Sequence, residues 1–83
     1  MFEERYAEIP VRLAAQRPRD GFNLENLFTP DEWRTIGDGR ERQRFGTRFA
    51  NDVRRGNFPG VTRNEQRNDV GGNEARYNYN PVA

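Results

Sequence analysis

The chain contains no cysteine, no histidine, no serine and no lysine. These residue types supply most catalytic nucleophiles and proton shuttles. We therefore expect a protein that is not an enzyme and that uses no cofactor. A hydrolase built on two carboxylates stays open, but a chain of 83 residues has little room for the deep cleft that such an enzyme needs.

The missing residue types also limit how the fold is stabilised. Without cysteine there is no disulfide, and without cysteine or histidine a zinc site is excluded, so we expect no bound metal. Hydrophobic residues make up 33% of the chain, so the core is small and depends on six Phe, three Tyr and one Trp. No apolar run is long enough for a membrane span or a signal peptide, and we expect a cytoplasmic protein without membrane contact.

All 14 basic residues are arginine, and they are concentrated in the middle of the chain. Residues 34–67 hold nine Arg against four acids, whereas residues 1–33 and 68–83 each hold more acids than Arg. The net charge is +1. Because arginine suits phosphates and guanine bases, the basic middle indicates an anionic partner; a merely solvated charged surface is the alternative.

The pattern of helix and turn signals divides the chain into three parts. Residues 1–20 predict an N-terminal helical extension, which Pro10 interrupts near Ile9 and which ends in a turn. Residues 21–79 form the main domain, and residues 80–83 are expected to be a frayed tail.

Two helix starts follow each other closely in the main domain. Thr29 and Glu32 have the spacing of a capping box, and Asp38 and Glu41 repeat that spacing. A glycine between them ends the first helix. Two helices, the second over residues 39–55, are therefore expected to flank a turn of about three residues.

The second of these helices has two distinct sides. Phe45, Phe49 and Val53 recur every four residues and predict a buried stripe. The opposite side carries six polar residues within about 80–100° of one another, at 100° per residue. We call this side the arginine face: Arg40, Arg44, Thr47, Arg48, Asn51 and Arg55. It contains no acid of its own, since Glu41 and Asp52 fall at its edge.

A β-hairpin is predicted near the C-terminus, with two short strands on either side of a polar, glycine-rich loop. Alternation along the second strand places Tyr77 and Tyr79 on one face and Arg76 and Asn78 on the other.

This order of elements predicts an α+β fold: a small winged helix-turn-helix-like domain with three to four short helices and a C-terminal β-hairpin. In such a domain the second helix enters the major groove of DNA, where Arg reads guanine, Asn reads adenine and Thr contacts the thymine methyl group. The hairpin is the wing, and its arginines are expected to contact the DNA backbone: Arg63, Arg67 and Arg76.

The apolar and turn residues of the main domain resemble a family of small uncharacterised proteins from bacterial chromosomes, plasmids and phages. The resemblance rests on Phe22-x-Leu24-x-x-Leu27-Phe28, Trp33, Arg40, Phe45-Gly46-x-x-Phe49-x-x-x-Val53-x-x-Gly56 and Tyr77. Asn26 stands where the family commonly has Asp. The resemblance covers residues 21–79 and implies a winged-helix-like fold on a mobile element, but no particular activity.

We expect a small DNA-binding protein, a transcription regulator of a phage or plasmid, that binds double-stranded DNA as a homodimer or at tandem sites. The nearly neutral net charge favours a different class, a phage protein-interaction module that inhibits a host defence or replication complex. An oligomeric virion component is a third interpretation. A positive surface that continues from the arginine face to the hairpin favours nucleic acid, and a divided surface favours protein.

Overall fold

A computed structural model describes residues 1–64 and 75–81 of the chain. The four α-helices are α1 (Phe2–Ala7), α2 (Ile9–Gln16), α3 (Pro30–Arg34) and α4 (Gly39–Arg54). The three strands are β1 (Phe22–Asn23), β2 (Val61–Arg63) and β3 (Arg76–Tyr79). A short 3₁₀ helix, Leu24–Leu27, connects β1 to α3. The predicted α+β fold with short helices and a C-terminal strand pair is confirmed.

The break predicted near Ile9 falls one residue earlier, at Glu8, which separates α1 from α2. Pro10 is an early residue of α2, where its missing N–H is tolerated. The sequence pattern set residues 1–20 apart as an extension, but these helices contribute three buried side chains to the same core as the other elements: Tyr6, Ile9 and Leu13.

The capping box predicted at the start of α3 is confirmed. The Thr29 hydroxyl accepts from the Glu32 N–H at 3.2 Å, and the Glu32 carboxylate accepts from the Thr29 N–H at 2.9 Å. The same carboxylate also accepts hydrogen bonds from both Nη atoms of Arg12, at 2.9 and 2.8 Å, and these bonds connect α2 to the start of α3.

A tight turn joins α3 to α4, as predicted. Asp38 accepts from the Glu41 N–H at 2.9 Å and so begins α4. Gly37 has a φ of 151°, and a Cβ atom there would lie 2.6 Å from the Cβ atom of Glu41. The close approach therefore requires glycine at this position.

The sheet has the strand order β1-β3-β2, and both pairs are antiparallel. The predicted hairpin strands β2 and β3 are paired, with Arg63 opposite Tyr77. The predicted glycine-rich loop between them lies outside the described residues. Asn80, placed in the frayed tail by the sequence pattern, donates its N–H to the Gly60 carbonyl at 2.7 Å.

The buried stripe of α4 packs against two parts of the molecule. Phe45 and Phe49 are fully buried, and Val53 packs at the edge of the core. The Phe49 ring lies 4.9 Å from the ring of Tyr77, which joins α4 to the sheet. The Phe45 ring meets four others edge-on, at centroid distances of 5.1 to 6.0 Å: Phe2, Tyr6, Phe28 and Trp33. This packing fixes the rotation of α4 and turns the arginine face outward.

Candidate nucleic-acid interface

The arginine face lies on the outer side of α4. Five of its six residues are exposed, and Asn51 is half-buried. Together with Gln43 and Asp52 they line a groove of about 480 Å³ along the helix. Its described lining comes from α4 and from Arg55, which follows the helix, so it is a surface groove along one helix and not a cleft between elements.

Arg40 and Arg44, near the start of α4, are only weakly neutralised by described residues, as is Arg55 at its end. Arg40 makes no hydrogen bond or ion pair with any described residue. The Arg44 Nη1 atom lies 3.4 Å from the Glu41 carboxylate, and the two side chains are 70% and 40% exposed to solvent. An exposed ion pair of this kind contributes about 0–1 kcal/mol. Arg40 and Arg44 can therefore leave their present contacts and bind another anion with little loss of free energy.

Arg48 is held more firmly than its neighbours, by residues of α1. Its Nη1 donates to both carboxylate oxygens of Glu3, at 2.9 and 3.0 Å. Its guanidinium carbon lies 4.1 Å from the centroid of the Tyr6 ring, a cation–π contact. The Glu3 carboxylate raises the pKa of the Arg48 guanidinium. As expected, α4 itself places no acid within the arginine face. In the fold, however, Glu3 of α1 lies against that face and pairs with Arg48.

Asp52 adds a second negative charge on the α1 side of the groove. It accepts from the Tyr6 hydroxyl at 2.5 Å and from Asn57 Nδ2 at 3.1 Å. The Tyr6 hydrogen bond lowers the pKa of the Asp52 carboxyl. Burial, and then the bond to Asp52, raise the pKa of the Tyr6 hydroxyl. The predicted edge position of Asp52 therefore corresponds to a structural contact between α4 and α1.

The opposite edge of the arginine face is basic, and the sequence prediction missed the residue responsible. Arg54 falls about 20° from Thr47 on the helical projection of α4. Arg54 lines a second surface pocket, of about 370 Å³, between α4 and β2, together with Thr62 and Arg63. The basic surface therefore continues from α4 towards the strand pair on this side, while the acids lie on the α1 side. The same helical periodicity that selected the other residues could have found Arg54.

The hairpin arginines lie on different faces of the sheet. Arg63 pairs with Tyr77, whose ring packs on α4, and its guanidinium carbon lies 5.9 Å from the centroid of that ring. Arg76 precedes Tyr77 in β3 and pairs with Asn23, so it belongs to the face turned away from α4. The fold brings Arg63 towards the arginine face and does not bring Arg76 there. Arg67 lies outside the described residues.

Two kinds of site are missing from the part of the chain that the structure describes. Its acidic residues form no group of three or more that could hold a metal ion. Its helices include none that is both long and apolar enough to cross a bilayer.

Comparison with known proteins assigns the chain to one family. Residues 8–78 match a domain of unknown function, DUF1413. No curated protein and no solved structure matches the chain. The matched region runs from the end of α1 into β3, and α1 itself precedes it. This match agrees with the predicted membership of a family without an established activity. Since it covers most of the sequence, the chain belongs to the DUF1413 family.

Proposed function

We propose that the protein binds double-stranded DNA as a small transcription regulator, with α4 in the major groove. The observation that carries this proposal is the arginine face, which is exposed along α4 and continues through Arg54 towards Arg63 on β2. Phosphate and guanine edges are the ligands that such a set of guanidinium groups suits best.

The order of elements supports a winged-helix arrangement. Two helices, α3 and α4, are joined by a tight turn and followed by the paired strands β2 and β3, while β1 adds a third strand. In helix-turn-helix proteins the second helix lies in the major groove, and residues near its N-terminus contact the bases. Here that part of the helix carries Arg40 and Arg44, neither of which is strongly neutralised by a described residue.

The other residues of this surface are proposed to contact either the DNA bases or the phosphate backbone. Thr47 lies beside Arg44 and can contact a thymine methyl group. Arg55 and Arg54 lie near the end of α4, where the backbone of a DNA duplex would pass, and Arg63 extends that contact from β2. A single domain of this size binds weakly, so we expect two copies on neighbouring half-sites. We further propose that the protein is encoded by a phage or plasmid, as the family resemblance implies.

A protein partner is the second candidate function, and one observation favours it. The acids Glu3 and Asp52 lie along the α1 side of the groove, so the charge of the groove is divided lengthwise. A surface that carries both positive and negative charges suits a protein partner with complementary charges, such as a host complex or a second virion subunit.

Binding of duplex DNA at two salt concentrations separates the two candidates. Fluorescence anisotropy with labelled genomic fragments should show an affinity that falls steeply between 50 and 200 mM salt, with a log–log slope of about 0.9 per neutralised phosphate. Absence of DNA binding, together with a stoichiometric complex recovered from host lysate, would instead support the protein partner.

A further inference from the structure

Glu3 and Arg48 form an ion pair between distant parts of the sequence. The Arg48 Nη1 atom lies within 3.0 Å of both carboxylate oxygens of Glu3, although 45 positions separate the two residues. The Glu3 side chain is 74% exposed and the Arg48 side chain 44%. Because water surrounds this pair, it contributes little to stability and can open readily.

Other contacts keep Arg48 in place when Glu3 moves away. The Tyr6 ring, which lies under the Arg48 guanidinium, is buried, and its hydroxyl is bonded to Asp52 at 2.5 Å. The guanidinium therefore rests on a platform that does not depend on Glu3. Asp52 is itself fixed by a second bond, from Asn57, so it stays at the edge of the groove.

We propose that Glu3 is a built-in competitor of DNA phosphate for Arg48. A carboxylate and a phosphate present similar pairs of oxygens to a guanidinium, so the Glu3 carboxylate occupies the place of a backbone phosphate. DNA must displace it, and α1 thereby lowers the affinity of the arginine face. This inference rests on the proposed function and concerns the regulation of the same site.

The chain offers a matched control for Glu3 in the next residue. Glu4 belongs to the same helix, carries the same charge and is exposed. It makes no hydrogen bond or ion pair with any of the described residues. Replacing either residue by Gln changes the net charge equally, and only Glu3→Gln removes the partner of Arg48.

The test compares the affinity of the two variants for one labelled DNA duplex, measured by anisotropy at low salt. Glu3→Gln should bind about three- to fivefold more tightly than the wild type, the change expected from losing one exposed competing pair. Glu4→Gln should change the affinity less than twofold, an effect of charge at a distance. In an Arg48→Gln background, Glu3→Gln should act no more strongly than Glu4→Gln. Equal effects of the two substitutions, or no gain from Glu3→Gln, would overturn the proposal.

A second probe separates failure of this inference from failure of the proposed function. Tripolyphosphate is titrated into wild type and Glu3→Gln, and the NMR signal of the Arg48 Nε–H group is followed. If no variant binds DNA, DNA binding is rejected. Competition between Glu3 and phosphate for Arg48 then stands on its own only if this signal shifts at a lower tripolyphosphate concentration in Glu3→Gln than in wild type. Identical titrations in the two proteins would reject it as well.

Discussion

The hydroxyl group of Tyr6 provides the most direct test of how α1 is fastened to α4. It donates to Asp52 at 2.5 Å, across 46 positions of sequence, and Tyr6 as a whole is 8% exposed. Tyr6→Phe removes this one oxygen atom and leaves the ring in contact with Phe45. The substitution therefore isolates the hydrogen bond from the packing.

The size of the effect follows from the surroundings of Asp52. A hydrogen bond to a charged acceptor contributes about 1.5–3 kcal/mol. Asp52 is half-buried and keeps the bond from Asn57, so the lower end of this range applies. We expect Tyr6→Phe to lower the free energy of unfolding by about 1.5 kcal/mol, or the melting midpoint by roughly 6–12 °C for a domain of this size.

Tyr77→Phe is the matched control, because it deletes the same atom from another buried tyrosine. Tyr77 is 1% exposed, and its hydroxyl has no hydrogen-bond partner among the described residues. Removing an unsatisfied buried hydroxyl costs nothing, so Tyr77→Phe should leave the free energy of unfolding unchanged or raise it. Urea titrations followed by circular dichroism measure both variants.

The effect of Tyr6→Phe should also depend on pH. The hydrogen bond from Tyr6 holds the pKa of Asp52 below its ordinary value of 3.8. The stabilisation is therefore complete above pH 3.8 and is lost as the pH falls through the lower pKa of the folded protein. The difference between wild type and Tyr6→Phe should shrink in that range. Equal losses for the Tyr6 and Tyr77 variants at neutral pH would show that the Tyr6–Asp52 hydrogen bond does not stabilise the fold.

Three other substitutions test separate parts of the fold. Phe45→Ala removes a fully buried ring and should lower the free energy of unfolding by about 3–5 kcal/mol in urea titrations; a loss below about 1 kcal/mol would contradict the assigned core. Asp38→Ala removes the acceptor for the Glu41 N–H and should cost about 1 kcal/mol in the same assay, and no loss would show that the cap is not formed. Glu32→Gln should lower the melting midpoint at neutral pH, because Arg12 holds the pKa of Glu32 at about 2. That stabilisation is complete above the ordinary pKa of 4.5 and is lost as the pH falls through about 2, so the two midpoints should converge in a pH series; a constant difference would contradict the assignment.

The features that the sequence predicts well are those set by neighbouring residues. The start of α4 follows from the spacing of Asp38 and Glu41, and its buried side follows from the four-residue spacing of Phe45 and Phe49. Both are properties of a single helix, so they need no knowledge of the rest of the fold.

The features that the sequence does not reveal depend on which elements meet. Glu3 reaches Arg48 because α1 packs against α4, and no local pattern indicates that contact. A signal for the packing itself does exist, since Tyr6, Ile9 and Leu13 have helical spacing and are all buried. Arg76 lies on the sheet face away from α4 because its neighbour Tyr77 packs on α4, and that packing is likewise a contact between distant elements.

Two matched double substitutions test whether the start of α4 contacts DNA bases. Arg40→Gln with Arg44→Gln removes two charges from the arginine face. Arg17→Gln with Arg19→Gln removes two charges from exposed residues that do not line the groove. Each double substitution lowers the net charge by the same amount, so a difference in affinity between the two variants reports where the charges were removed.

The decisive measurement is the affinity of these two variants and the wild type for one duplex that contains a selected site, by anisotropy at fixed salt. The Arg40 and Arg44 variant should lose about thirtyfold or more in affinity, from two base contacts of at least about 1 kcal/mol each. The Arg17 and Arg19 variant should stay within about threefold of the wild type. Equal losses for the two variants, or no binding by the wild type, would show that the start of α4 does not contact DNA bases.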